Sequence, residues 1–185
     1  MLLRRSLVVV VVLAALLVAG GIATARSAPD LEASGPTSVT GTEGTAVFQV
    51  ADRTLRQVRY DDGGTLRYTF ELTNHGRLPV TVHGLAAGQP DPRLFHLDSL
   101  TGPDGAADVR IGPGDTTAVT LALVMGGCET LSSRSGSFVT EVVLSTGQAG
   151  VFDDDVRITL PEELHTGSPR EAFCPSSTAT SRPPG

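Results

Sequence analysis

The chain has 185 residues and a formal net charge of −6, with 20 acidic side chains against 14 basic ones. A nucleic-acid partner requires clustered cations that neutralise phosphates, so this acidic balance argues against nucleic acid as a partner. The chain also lacks tryptophan and has only two tyrosines and six phenylalanines. Few aromatic platforms are therefore present on which bases or sugars could stack.

An apolar segment at the N-terminus is the first recognisable element. Arg4 and Arg5 precede residues 7–25, which contain no charged side chain. A membrane-spanning helix needs about 20 apolar residues and the core of a signal peptide about 7–15, so this segment falls between the two. Ala23 and Ala25 have the small-residue spacing of a signal-peptidase site. Residues 1–26 are thus predicted to be a signal anchor or a signal peptide.

The same segment predicts where the rest of the chain resides. Basic residues ahead of an apolar helix stay on the cytoplasmic side, so the body of the protein is expected outside the membrane. A retained helix would make a single-pass cell-membrane protein, and cleavage near Ala25 would make a secreted one. Residues 27–44, which are small, polar and rich in proline and glycine, predict a flexible spacer.

Residues 45–165 show the alternation of apolar and polar side chains that is typical of β-strands. The clearest case is 65–73, where Leu66, Tyr68 and Phe70 share one face. Turn sequences recur every 8–12 residues or so, and strands joined by short turns pair antiparallel. An all-β fold follows, predicted as an immunoglobulin-like antiparallel β-sandwich of about eight strands, with an open-ended barrel as the alternative. The last strand is expected to end at Pro161.

Two cysteines, Cys128 and Cys174, are the only ones in the chain. An even number of cysteines outside the cell usually forms disulfides, and the close spacing of a redox or metal pair is absent. We therefore predict a structural disulfide that ties the Pro/Ser/Thr-rich tail, residues 166–185, to the sandwich.

Candidate chemistry is sparse. No pair of histidines has the sequence spacing of a zinc site, but His83 and His96 could meet across strands and bind copper or zinc. A group of arginines could recognise an acidic partner or cell-wall phosphate, or could solvate an exposed strand face; its members are Arg53, Arg56, Arg59 and Arg67. No motif for nucleophilic, metal-dependent or phosphate chemistry occurs, so neither an enzyme nor a cofactor is predicted.

One stretch resembles a known kind of module. Residues 68–76, with Asn74 and Gly76 at the turn, are followed by a strand that begins after Pro79, and residues 111–115 lead into a later strand. This arrangement is similar to immunoglobulin-like, CARDB-like modules of exported proteins. The whole chain also resembles small exported or membrane-anchored proteins of actinobacteria. The resemblance implies a fold and a location and carries no catalytic residues.

The expected function is therefore that of a non-enzymatic cell-envelope protein. An extracytoplasmic immunoglobulin-like module, tethered by its N-terminal helix, would bind another envelope protein or a cell-wall polymer, or would serve structurally. The alternative is an extracytoplasmic carrier of a metal or small ligand that uses His83 and His96.

Overall fold

The computed structural model describes residues 10–15, 28–42, 46–92, 94–126, 137–148, 150 and 152–166. Residues 10–15 are helical. Among the described residues, no helix has the length and apolar character needed to cross a membrane. Most of the predicted N-terminal segment lies outside the described residues, so the signal or anchor stays a prediction.

The described part of the chain forms ten strands in two sheets, where about eight strands were expected. In chain order the strands are β1 (Leu31–Thr40), β2 (Ala46–Val50), β3 (Arg53–Val58), β4 (Thr65–Asn74), β5 (Val80–Leu85), β6 (Phe95–Thr101), β7 (Val109–Ile111), β8 (Thr116–Met125), β9 (Phe138–Gln148) and β10 (Phe152–Thr166). One sheet has the order β1-β4-β8-β6, and the other has the order β2-β3-β10-β9-β5-β7. A single 3-10 turn, Pro103–Gly105, lies between β6 and β7.

The two sheets pack on each other around one apolar core. The alternation predicted for β4 is confirmed, because Leu66, Tyr68, Phe70 and Leu72 are all fully buried. Alternate residues of β8, the neighbouring strand of the same sheet, point into the core beside them. Residues of β9 and β10 in the other sheet, such as Leu144, pack against this layer. Period-two patterning thus places one face of each central strand in the core.

Strand β1 corrects the prediction of a flexible spacer over residues 27–44. Leu31–Thr40 pairs antiparallel with β4, from Leu31 opposite Asn74 to Thr40 opposite Arg67. The proline and glycine that suggested a linker occupy a bulge between Ser34 and Ser38, where pairing is interrupted. An edge strand tolerates such residues, and the ordered domain begins closer to the apolar segment than the composition indicated.

The prediction of purely antiparallel pairing is wrong for one pair of strands. β3 and β10 run parallel, with Leu55 opposite Glu163 and Val58 opposite Thr166. The rule that short turns impose antiparallel pairing does not apply here, because these strands are almost a hundred residues apart in the chain.

Strand β10 continues past Pro161, where the sequence predicted its end. Its pairing with β9 is irregular between Thr159 and Leu164, so Pro161 lies where no regular ladder bond is needed from its missing N–H. The last four residues, Glu163–Thr166, pair with β3 on their other side. The irregularity therefore allows one strand to join both neighbours.

The two ends of the domain can be told apart by where β1 begins and where it ends. Asn74 is fully buried at the end where β1 begins, and its side-chain amide donates to the carbonyls of Leu78 at 2.9 Å and Ile111 at 3.1 Å. We call this the near end. At the opposite, far end, the Thr42 hydroxyl donates to the Arg59 carbonyl at 2.7 Å.

Candidate functional site

An open groove of about 360 Å³ crosses the outer face of the six-stranded sheet toward the far end. It spans four neighbouring strands, β2, β3, β10 and β9. The lining residues are Val50, Arg53, Leu55, Phe138, Thr140 and Glu163. Half of these residues, Val50, Leu55 and Phe138, are apolar, and we refer to the site as the outer groove.

The register of the strands explains how the outer groove is built. Leu55 lies opposite Phe48 on one side and opposite Glu163 on the other, and residues paired in register share a face. The next residues along, such as Leu164 and Val139, point into the core. Phe48, Val50 and Phe138 remain about half exposed, at 47%, 49% and 49%.

The sequence alone does not predict that the apolar residues on this face of β2 are exposed to solvent. Ala46, Phe48 and Val50 alternate like the core face of a strand, yet all five residues of β2 are exposed. The larger sheet has six strands and the smaller sheet four, so β2 lies beyond the strands that cover the core. Even Val47, on the opposite face of β2, is 50% exposed.

Two ion pairs join β3 and β10, one on each face of the sheet. On the outer face, Arg53 Nη1 lies 2.6 Å from Glu163 Oε1, with the arginine side chain largely exposed. On the inner face, Arg56 Nε lies 2.5 Å from Glu162 Oε2, and these side chains are only 11% and 8% exposed. Glu162 and Glu163 therefore form ion pairs on opposite faces of the sheet, because successive side chains of a strand point to opposite sides.

The inner pair belongs to a buried polar cluster. Arg56 Nη2 donates to Glu162 Oε1 at 2.9 Å and to the Thr37 hydroxyl at 3.1 Å, so the guanidinium also contacts the bulge of β1. Tyr68 is fully buried. Burial raises the pKa of Tyr68, and the negative charge of Glu162 raises it further. The phenol is accordingly neutral under physiological conditions and acts as a packing group.

An aromatic pair borders the outer groove. The rings of Phe138 and His165 stack with centroids 4.3 Å apart and an interplanar angle of 24°. Burial lowers the pKa of His165, and the nearby carboxylate of Glu163 opposes this effect. The neutral imidazole is favoured, which keeps this side of the groove uncharged.

This histidine makes stability depend on pH in a defined direction. Because the folded pKa of His165 is below the unfolded value of about 6.5, the unfolded chain binds more protons at lower pH. The contribution of the neutral His165 to the free energy of unfolding is therefore fully present above about pH 6.5. It decreases as the pH falls through that value toward the folded pKa. We expect the urea concentration at half-unfolding to decrease less for His165→Phe than for the wild type when the pH is lowered from about 7.5 to about 5. Equal losses would contradict this assignment.

The predicted metal ligands are not brought together. His83 lies on β5 and His96 on β6, so they belong to different sheets, and both are exposed on outer faces. His83 Nδ1 instead lies 2.8 Å from Asp108 Oδ1, and His96 lies beside Gly126. Across the described residues, no group of three histidine, cysteine, aspartate or glutamate side chains is arranged to hold a metal ion.

The arginines that suggested an acidic or phosphate partner do not form one patch. Arg53 and Arg56 point to opposite faces and are each paired with a glutamate. Pairing within the protein neutralises these guanidinium groups, so they offer little charge to an anionic ligand.

The disulfide predicted between Cys128 and Cys174 lies outside the described residues and stays a prediction. Two described residues that flank the cysteine-bearing segments, Ser137 and Thr166, are adjacent, however. The Thr166 N–H donates to the Ser137 carbonyl at 3.2 Å, and the Ser137 N–H donates to Thr166 Oγ1 at 3.1 Å. Both cysteine-bearing segments therefore connect to the same place at the far end.

Comparison with known proteins finds no protein family whose sequence model matches this chain and no similar curated protein.

Proposed function

We propose that this protein is a non-enzymatic, extracytoplasmic binding module of immunoglobulin-like type, held at the membrane by its N-terminal segment. Its ligand is a segment of another envelope protein, and its binding site is the outer groove. The observation that carries the proposal is an apolar groove beside a strand, β2, whose five residues are all exposed. Apolar surface of this kind on a folded domain is typical of an interaction site.

The chemistry of the lining supports an uncharged protein ligand. Val50, Leu55 and Phe138 supply apolar contact, and Thr140 supplies a polar group at the rim. The charged groups of the lining, Arg53 and Glu163, are bonded to each other. An anionic polymer would have to break this pair, whereas apolar side chains can bind without doing so.

The position of the groove is consistent with a tethered module. β1 begins at Leu31, only six residues after Ala25, so a retained membrane helix would hold the near end of the domain close to the lipid surface. The groove residues Leu55 and Glu163 pair with each other, and three positions further along the same two strands Val58 pairs with Thr166 at the far end. The groove therefore lies toward the far end of the domain. This orientation presents the binding site to partners in the envelope.

Site-specific photo-cross-linking in the native envelope tests the proposal. We expect a benzophenone side chain at position 138 to give a discrete adduct with another protein. The matched control carries the same group at Asp154, which is exposed on β10 outside the groove lining. A further Val50→Glu substitution should abolish the adduct, because it introduces an unpaired charge into the apolar lining. No adduct at position 138, or equal yields at positions 138 and 154, would refute the proposed site.

A further inference from the structure

Strand β2 has a free edge. It pairs with β3 on one side, and no other described strand pairs with it. Its sequence, Ala-Val-Phe-Gln-Val, has no charge and no proline, and every one of its residues is exposed. An edge of this kind presents unpaired N–H and C=O groups and is a template for another strand.

The remaining sheet edges carry features that hinder strand addition. β1 is interrupted by the bulge between Ser34 and Ser38, and β6 by a register shift between Leu97 and Ser99. β6 also exposes Asp98, and β7 has only three residues. Bulges, charges and short length are the usual means by which sheets avoid edge-to-edge pairing. Among the described edges, β2 alone lacks all of them.

The free edge and the outer groove are continuous. Val50 lines the groove, and Phe48 lies beside it on the same face, opposite the groove residue Leu55, so the outward side chains of β2 form a row along the edge of the groove. A strand added to β2 would place every second side chain beside this row. The pairing of Arg53 with Glu163 balances the two charges that line the groove.

We propose that β2 binds its partner by strand addition: an extended segment of another protein, apolar at alternate positions, pairs with β2 and rests its apolar side chains against Phe48 and Val50. This inference rests on the proposed function, because it specifies the partner of the same site. Main-chain hydrogen bonds would supply the register, and the groove would select apolar side chains.

A second copy of the chain fits the site less well. Two identical β2 edges related by a twofold axis run antiparallel, so the near ends of the two domains would point in opposite directions. Apolar segments at residues 7–25 could not then enter one membrane from both copies. The net charge of −6 also opposes association of two copies.

Amide exchange measured by NMR on the folded protein tests the mode of binding. The probe is a synthetic peptide of about nine residues that alternates valine and threonine, a length that covers β2. We expect the exchange of the outward-facing amides of β2 to slow roughly tenfold on saturation, with little change in β7. A peptide N-methylated at alternate residues should not bind, because it cannot complete the ladder.

Substitutions provide the matched controls. Phe48→Lys should weaken peptide binding roughly tenfold or more, because a lysine on an edge strand opposes pairing and removes the apolar contact. Both Phe48 and Asp98 are exposed, so neither change should impair folding. Asp98→Lys, on the edge of the other sheet, should leave peptide binding unchanged.

Three results would overturn strand addition. One is unchanged exchange in β2 with peptide at about 1 mM. Another is equal binding of the N-methylated peptide, which would leave the outer groove as a site without strand pairing. The third is protection of β2 that rises with protein concentration alone, together with a dimer in sedimentation, which would make a second copy the occupant. The cross-link at position 138 is independent of all three, so failure of strand addition and failure of the proposed function are distinguishable.

Discussion

Replacing Glu162 with alanine should lower the free energy of unfolding by about 3–5 kcal/mol. The substitution leaves the Arg56 guanidinium in a site where its side chain is only 11% exposed, without the carboxylate that accepts two of its hydrogen bonds. A buried charge without its ionic partner is costly, and the hydrogen bond from Arg56 to the neutral Thr37 hydroxyl does not replace the lost carboxylate. Urea denaturation followed by circular dichroism would measure the change.

The neighbouring glutamate provides the control. Glu163→Ala removes the partner of Arg53, whose side chain is 63% exposed, so water can solvate the freed charge. We expect a loss of about 1 kcal/mol or less. The double variant Arg56→Leu/Glu162→Leu should recover most of the stability, because it removes both charges together. Equal losses for Glu162→Ala and Glu163→Ala would show that the inner pair has no special role.

Replacing Cys128 with serine should lower stability by about 4 kcal/mol. The two cysteines are 46 positions apart, and a cross-link over such a loop restricts the unfolded chain strongly. Cys128 comes two positions after Gly126, which is the last described residue before it, and Cys174 follows Thr166 by eight positions. Eight residues can extend over about 26 Å, which is long enough for Cys174 to reach across the far end, where Gly126 also lies.

Thermal denaturation with and without reductant measures this effect. The wild type should melt at a lower temperature after reduction, and the variant should be insensitive to reductant. Limited proteolysis adds a local readout, since the tail after Thr166 should be cleaved faster in Cys128→Ser. A wild-type melting temperature that reductant does not change would contradict the disulfide.

Local patterning predicted the central strands well. In β4 and β8 the alternation of side chains coincides with burial, because both strands lie in the middle of a sheet and have one face in the core. The turn at Asn74 was recognised for the same reason, since its geometry depends on neighbouring residues only. The amide of Gly76 donates to Asn74 Oδ1 at 2.9 Å, which is a local contact.

Edge strands were predicted less well, because their composition reflects several constraints at once. The glycine and proline of β1 indicated a linker, but they lie in a bulge of a paired strand. The apolar residues of β2 alternate as they would on a core face, but all five residues of the strand are exposed. Whether an apolar residue of a strand is buried depends on whether the facing sheet extends over it, and the sequence of the strand alone does not contain this information.

The sequence by itself determined the β-rich class and the inward faces of the central strands, because period-two alternation and turn chemistry act within a few residues. Only the tertiary structure decided that β3 and β10 pair in parallel, that Glu162 and Glu163 form ion pairs on opposite faces, and that Phe48 and Phe138 share the outer surface of one sheet. These relations join residues about a hundred positions apart, and they depend on the packing of the whole chain.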